Sequence, residues 1–226
     1  MNAPEPTVEH QPWILRPAAA VGSLALIAVV VLAVVVRQSP NAQAEVDFDR
    51  MLQVPKTSAL TATAVNLTLS AQETVGLAAL VIGIAILLFR RRRWDATLLL
   101  CMAGGSWAFA LILKAVVARP RPPVSIWLSQ PDPTSGFPSG HTTTALVIVL
   151  IVVMVLRGTR WMPAGVVIAA IYAVAVGTSR LYLGNHYPSD VLASALTVCA
   201  AASLIWVVLN SDAVRRAAPR VLHATT

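Results

Sequence analysis

Charged side chains are scarce in this 226-residue chain: Asp, Glu, Lys and Arg together make up 12% of it, about half their share in an ordinary soluble domain. Water is therefore not its main solvent. Cysteine is nearly absent. Cys101 and Cys199 both fall inside apolar runs, where a thiol behaves as a small buried hydrophobe, so neither a disulfide framework nor a cysteine-rich metal centre is implied. Acidic residues are few, 10 against 17 basic ones. The arginines sit at the ends of apolar runs and form no continuous basic face with interleaved aromatics, which excludes a nucleic-acid partner and marks membrane orientation instead. Internal repeats and low-complexity segments are also missing.

What is present is apolar sequence in long runs, 57% of the chain being hydrophobic. One crossing of the hydrocarbon core takes about 20 such residues. The runs predict an all-α, polytopic membrane protein, a six-transmembrane-helix bundle with helices near 13–36, 70–89, 96–118, 142–156, 162–178 and 189–209. One membrane domain, 13–210, lies between a cytoplasmic N-terminal tail, 1–12, and a basic C-terminal tail, 211–226. Ala42-Gln43-Ala44 after the first run has the small-x-small form of a signal-peptidase site. The run is longer than a signal h-region and has only Arg16 before it, so the helix is expected to be retained.

Arginine also orients the bundle, because basic short loops stay in the cytoplasm. Arg90 to Arg93, Arg157 with Arg160, and Arg215, Arg216 and Arg220 all fall on one side. The stretches 37–69, 119–140 and 182–188 then face outward from the plasma membrane. The first carries Glu45, Asp47, Asp49 and Arg50 among Val46, Phe48, Met51 and Leu52. That pattern fits a short helix lying in the interface and equally a solvated connector, and no chemistry is assigned to it.

Three segments place costly polar groups at the outer ends of helices. Lys114 precedes Arg121-Pro122 by seven residues. An intramembrane lysine either snorkels to the interface or meets an anion in a cavity, while Pro120, Pro122 and Pro123 stop the helix. Pro138-Ser139-Gly140-His141 runs into the helix at Thr142, so unpaired N–H groups and the positive dipole end make an anion site beside His141; the plainer reading makes Ser139 a cap. Ser179-Arg180 leads to His186 and Asp190, four apart, where a carboxylate reaches one imidazole nitrogen and directs the other. Three cations, two histidines and one carboxylate thus share one membrane depth, a set suited to a phosphoryl transition state.

These blocks, Lys-x6-Arg-Pro, Pro-Ser-Gly-His and Ser-Arg-x5-His-x3-Asp, occur in order over 114–190, and in them the chain resembles the type 2 phosphatidic acid phosphatase superfamily, membrane lipid phosphatase branch. The resemblance implies a lipid phosphatase or pyrophosphatase with His186 as the nucleophile forming a phosphohistidine, Asp190 orienting it, and His141 as general acid. Lys114, Arg121 and Arg180 would clamp the phosphate with Ser139 and the backbone N–H of Gly140. It implies no metal and no cofactor, and a membrane lipid phosphate as the partner, polyprenyl pyrophosphate and phosphatidate-type lipids standing level. The soluble haloperoxidases of the superfamily carry long insertions that this chain lacks. A non-catalytic lipid-phosphate binding or transport protein is the alternative; binding alone would need the cations but not His141, His186 and Asp190. Arg119, in a second Arg-Pro pair, is expected to contact headgroups or substrate, and Asp132 and Ser135 receive no role.

Overall fold

The computed structural model describes residues 12–39 and 42–217; residues 1–11 and 218–226 of the expected tails lie outside it. Among the described residues all regular structure is helical: α1 Pro12–Gln38, α2 Gln43–Leu52, α3 Ser58–Ser70, α4 Glu73–Phe89, α5 Arg93–Val117, a 3-10 turn Val124–Ile126, α6 Gly140–Leu156, α7 Met162–Tyr182, α8 Pro188–Leu209 and α9 Asp212–Ala217.

Four of these, α1 from Leu15 onward, α5, α7 and α8, are long and apolar enough to cross a membrane. The helix expected at 70–89 is instead α4, preceded by α3 across a 49° bend, the pair together meeting the same test. The break falls at Ala71 and Gln72. α3 lies in the stretch expected as outer loop. It folds as helix because Thr61 and Thr63 bond back to the carbonyls of Thr57 and Ala59, hiding their hydroxyls within the helix, and Thr57 caps it by accepting from Leu60 N. α6, at 17 residues, is apolar but shorter than a full span.

Packing follows the side-chain sizes. α6 lies between α4 and α5, with Leu80, Leu87, Leu98, Leu99, Val147 and Ile151 in one core. Close approach of α4 to α6 depends on Gly76 and Gly83, one heptad apart: a β-carbon at Gly83 would sit 2.7 Å from Ile151, and one at Gly76 would meet Thr144. Small residues at helix crossings are how backbones approach in lipid. A second core joins α1, α5 and α8 through Val29, Val36, Leu113, Val117 and Ala193, closed at the polar end by Phe137. Outward faces stay apolar, as in Leu24, Ile27 and Val31 of α1 or Ile168, Ile171 and Val174 of α7, a surface that lipid and not water can cover.

The two ends of the bundle differ in charge. At one end Arg90 and Arg92 donate to Val155 O, and Arg92 and Arg157 both reach Asp95. The opposite end gathers the C-termini of α5 and α7 and the N-termini of α6 and α8, so the three sequence blocks meet there. Ala118, with φ of 49° in the left-handed region, ends α5 and turns the chain so that Arg119 enters the protein, its side chain 0% exposed.

Candidate active site

His186 lies in the turn between α7 and α8, fully buried. Its Nε2 is 2.6 Å from Arg121 Nη1. A guanidinium only donates, so Nε2 accepts and the ring proton sits on Nδ1. Nδ1 then donates to Gly136 O at 2.8 Å, with Asp190 Oδ2 next nearest at 3.5 Å. The expected His–Asp pair is present, but the Gly136 carbonyl is the shorter contact. Asp190 is an N3 residue of α8 and reaches back to accept from Tyr187 N at 2.9 Å, the capping-box geometry that fixes its direction. Burial first, and then Arg121, Arg180, Lys114 and His141, hold the His186 pKa well below its ordinary 6.5. The imidazole is neutral, its Nε2 lone pair facing the cations.

Arg121 is held by donation from Nε to Thr134 O at 3.0 Å and from Nη1 to Asn185 O at 2.9 Å; burial lowers its pKa, Asp132 and Asp190 opposing, and the guanidinium stays charged. Arg180 is buried in the last turn of α7, with Nη1 3.3 Å from Thr68 Oγ1 of α3. Its Nε and Nη2 have no hydrogen-bond partner in the protein, although Nη2 lies 3.7 Å from Asp132 Oδ2. Lys114 Nζ donates to Ser135 O at 2.9 Å. Ser139 is wholly buried and acts as the α6 N-cap, its Oγ accepting from Thr142 N. It is the plainer of its two readings that the geometry displays. Gly140 and His141 begin α6, their N–H groups in the orphan first turn.

Asp132, given no role in the sequence, and Arg119 both belong to this end. Asp132 Oδ2 stands 3.6 Å from His141 Nδ1, 3.7 Å from Arg180 Nη2 and 3.8 Å from Arg121 Nη2. Arg119 is not a headgroup contact: its Nη1 donates to Asp190 Oδ1 at 2.7 Å, inside the protein. Sequence reasoning also missed Glu45 and Glu73. Glu45 bonds Arg119 and Ser189, and only the charge pattern of the short amphipathic stretch hinted at a structured element there. Glu73 sits between two cavities. One, about 320 Å³, is lined by Lys114, Arg121, Asp132, Thr134, Gly140, His141 and residues 71–74. The other, about 230 Å³, is apolar, lined by Leu77, Trp107, Ala110, Leu111 and Thr143, and shares Glu73, Lys114 and Gly140 with the first. Among the described residues no group of three or more His, Cys, Asp or Glu side chains is disposed to hold a metal ion.

Lys114, Arg121, Arg180, His141, His186 and Asp190 thus gather at one end of a bundle of apolar helices. The sequence profile of the PAP2 superfamily matches residues 94–214, and the chain belongs to that superfamily. It is 31% identical to phosphatidylglycerophosphatase B of Bacillus subtilis over 109 residues, 46% of this chain and 53% of that one. It is 34% identical to an undecaprenyl-diphosphatase of Sulfolobus acidocaldarius over 117 residues, 48% of this chain and 52% of that one. The chain thus spans about half the length of the curated relatives it matches. In fold it resembles the crystal structure of a transmembrane PAP2-type phosphatidylglycerolphosphate phosphatase from Bacillus subtilis, with a TM-score of 0.70 at 24% identity over 82% of this chain and 94% of that one. It also resembles that of Aquifex aeolicus LpxE, with a TM-score of 0.57 at 21% identity over 71% and 93%.

Proposed function

We propose that the chain is a metal-independent lipid phosphatase that hydrolyses a phosphomonoester or pyrophosphate of a membrane lipid through a phosphohistidine. The observation that carries this reading is the state of His186: Nδ1 donates to Gly136 O and Nε2 accepts from Arg121, which lines the polar cavity, so an anion that takes over that guanidinium frees the Nε2 lone pair for phosphorus. Nε2 attacks phosphorus, the bond from phosphorus to the leaving oxygen breaks, and His141 gives that oxygen a proton. Water then attacks phosphorus as the bond to Nε2 breaks, His141 takes up the water's proton, and inorganic phosphate leaves. Lys114, Arg121, Arg180 and the first-turn N–H groups of α6, Gly140 among them, hold the three equatorial oxygens, the role that electrostatics fills in phosphoryl transfer. Ser139 supports this turn as its cap, with Asp190 behind His186.

The shared lining of the two cavities supports a lipid substrate, the phosphate in the polar one and the proximal tail in the apolar one against Leu77, Trp107 and Leu111. Phosphatidylglycerophosphate and undecaprenyl diphosphate, for which the two curated relatives are named, would each present a terminal phosphate to this site. On this reading 13–210 is one catalytic membrane domain whose six crossings are α1, the bent α3–α4 pair, α5, α6, α7 and α8. Its arginine-rich end lies in the cytoplasm and the site opens on the extracytoplasmic face of the cell membrane.

The test is phosphate release by the detergent-purified chain in excess EDTA, across diacyl and polyprenyl phosphates and pyrophosphates, with His186→Ala beside it. Release that survives EDTA and disappears in the variant supports the reading and ranks the lipids. Folded wild type that binds these lipids and releases nothing overturns it in favour of a binding or transport role.

A further inference from the structure

We propose that Arg119 and Glu45 are positioning residues of the reaction, and that α2, the short helix outside the bundle, is thereby part of the catalytic face; the inference rests on the function proposed above. His186 Nδ1 faces two acceptors, Gly136 O and Asp190 Oδ2, and Arg119 holds both. Its guanidinium donates to Asp190 Oδ1 at 2.7 Å, leaving Oδ2 for Tyr187 N and the imidazole. Its main-chain carbonyl accepts from Gly136 N at 2.9 Å, fixing the peptide whose own carbonyl takes the Nδ1 proton. The fit is close: a β-carbon at Gly136 would lie 3.3 Å from Asp190 Oδ2 and 3.5 Å from Arg119 O. The guanidinium also stacks 3.9 Å from the ring centre of Tyr187, the residue after the nucleophile.

Glu45 closes this arrangement from α2. Oε1 accepts from Arg119 Nη2 at 3.2 Å, while Oε2 accepts from Ser189 N at 3.0 Å and Ser189 Oγ at 2.6 Å. A carboxylate at the first turn of α8 satisfies an orphan N–H and favours the positive dipole end. It does something further for Arg119. A guanidinium beside a carboxylate gains most from a bidentate contact, which would draw Asp190 Oδ2 away from Nδ1. With Nη2 engaged by Glu45, the guanidinium contacts Asp190 through Nη1 and Oδ1, and Oδ2 stays with the histidine.

Because neither residue touches the phosphate pocket, their loss is expected in turnover and not in binding. Removing a partner that orients a reacting group in this way costs from about 10- to 100-fold. The experiment measures kcat and KM for phosphate release, the Ki of inorganic phosphate and the melting temperature. It compares wild type, Glu45→Gln, Glu45→Ala, Asp190→Asn and the Glu45→Gln/Asp190→Asn double variant. The expected result is kcat lowered about tenfold or more in Glu45→Gln with KM and Ki within about threefold of wild type, and a double variant no slower than Asp190→Asn alone, since Glu45 acts through Asp190. Arg119→Lys, which keeps a cation without the fork, is expected to fall between wild type and Arg119→Met. A folded Glu45→Gln and Glu45→Ala with wild-type kcat overturns the inference. So does a double variant in which the two losses multiply, because that is independent action. Release by wild type is read separately, so a failure of the phosphatase reading is not mistaken for a failure of this one.

Discussion

Asp132 places a carboxylate oxygen beside His141 and two of the arginines proposed to hold the phosphate, and neutralising it should tighten anion binding. Its Oδ2 lies 3.6–3.8 Å from His141, Arg180 and Arg121. At about 4 Å a unit-charge pair is worth roughly 1 kcal/mol in water and roughly 4 kcal/mol at an effective dielectric of 20. The Asp132 side chain is 51% exposed, so the watery limit applies, further reduced by salt. An incoming phosphate must compete with this carboxylate for Arg121 and Arg180, and is repelled by it when both are present. Losing one such contact amounts to about 1 kcal/mol at most, a factor of about five. Asp132→Asn keeps the shape and removes the charge, so the Ki of inorganic phosphate as a product inhibitor should fall by up to about fivefold, the effect shrinking as salt is raised. An unchanged Ki would mean that the carboxylate is not in the path of the anion. A weaker Ki would mean that it serves chiefly to hold the two arginines in place.

Three further outcomes are expected. Because the His186 pKa lies well below 6.5, the imidazole stays neutral as pH falls, so kcat/KM, which reports the free enzyme, should show no His186 loss from pH 7 down to 6; a protonation limb near 6.5 that disappears with a change at residue 186 would refute this. Asp49 is fully buried with both side-chain oxygens unbonded, and burial, then Glu45 and Asp190, push its pKa up to about 8. Its folded form holds a proton that the unfolded chain releases near 3.8, so the stability it contributes is complete below that value and is lost as pH rises through about 8. Asp49→Asn should therefore gain on wild type in unfolding free energy between pH 4 and pH 8, by up to about 6 kcal/mol at the upper end, and a gap that does not grow with pH would contradict the assignment. For topology, cysteine at exposed Thr134 should react with an impermeant reagent in intact cells and cysteine at Thr159, on the arginine-rich end, should not.

The expected site residues stood out in the sequence because each is costly in a membrane: a lysine near a helix end, histidines and an arginine against apolar runs. Helix ends were legible for the same reason, prolines and Ser-Gly turns being local signals. What stayed hidden is non-local. Arg119 and Arg121 are the same dipeptide repeated, and only the left-handed turn at Ala118 sends the first inward to Asp190 and leaves the second at the pocket. Glu45 is separated from Ser189 by most of the chain, and no pattern within α2 announces that pairing. The carbonyl of Gly136 is a backbone acceptor, invisible to any reading of side-chain types. α3 was missed because its threonines read as polar loop until their hydroxyls turn back onto the helix.

The most direct test of the central claim is to find the phosphate on the protein. Wild type and His186→Ala, mixed with a lipid substrate and quenched within milliseconds at alkaline pH, where phosphohistidine survives, should be digested and examined by mass spectrometry. The account predicts phosphate on the peptide containing His186 in wild type and on no peptide in the variant. Phosphate release from wild type with phosphate found on another residue, or release that persists in His186→Ala, would contradict it.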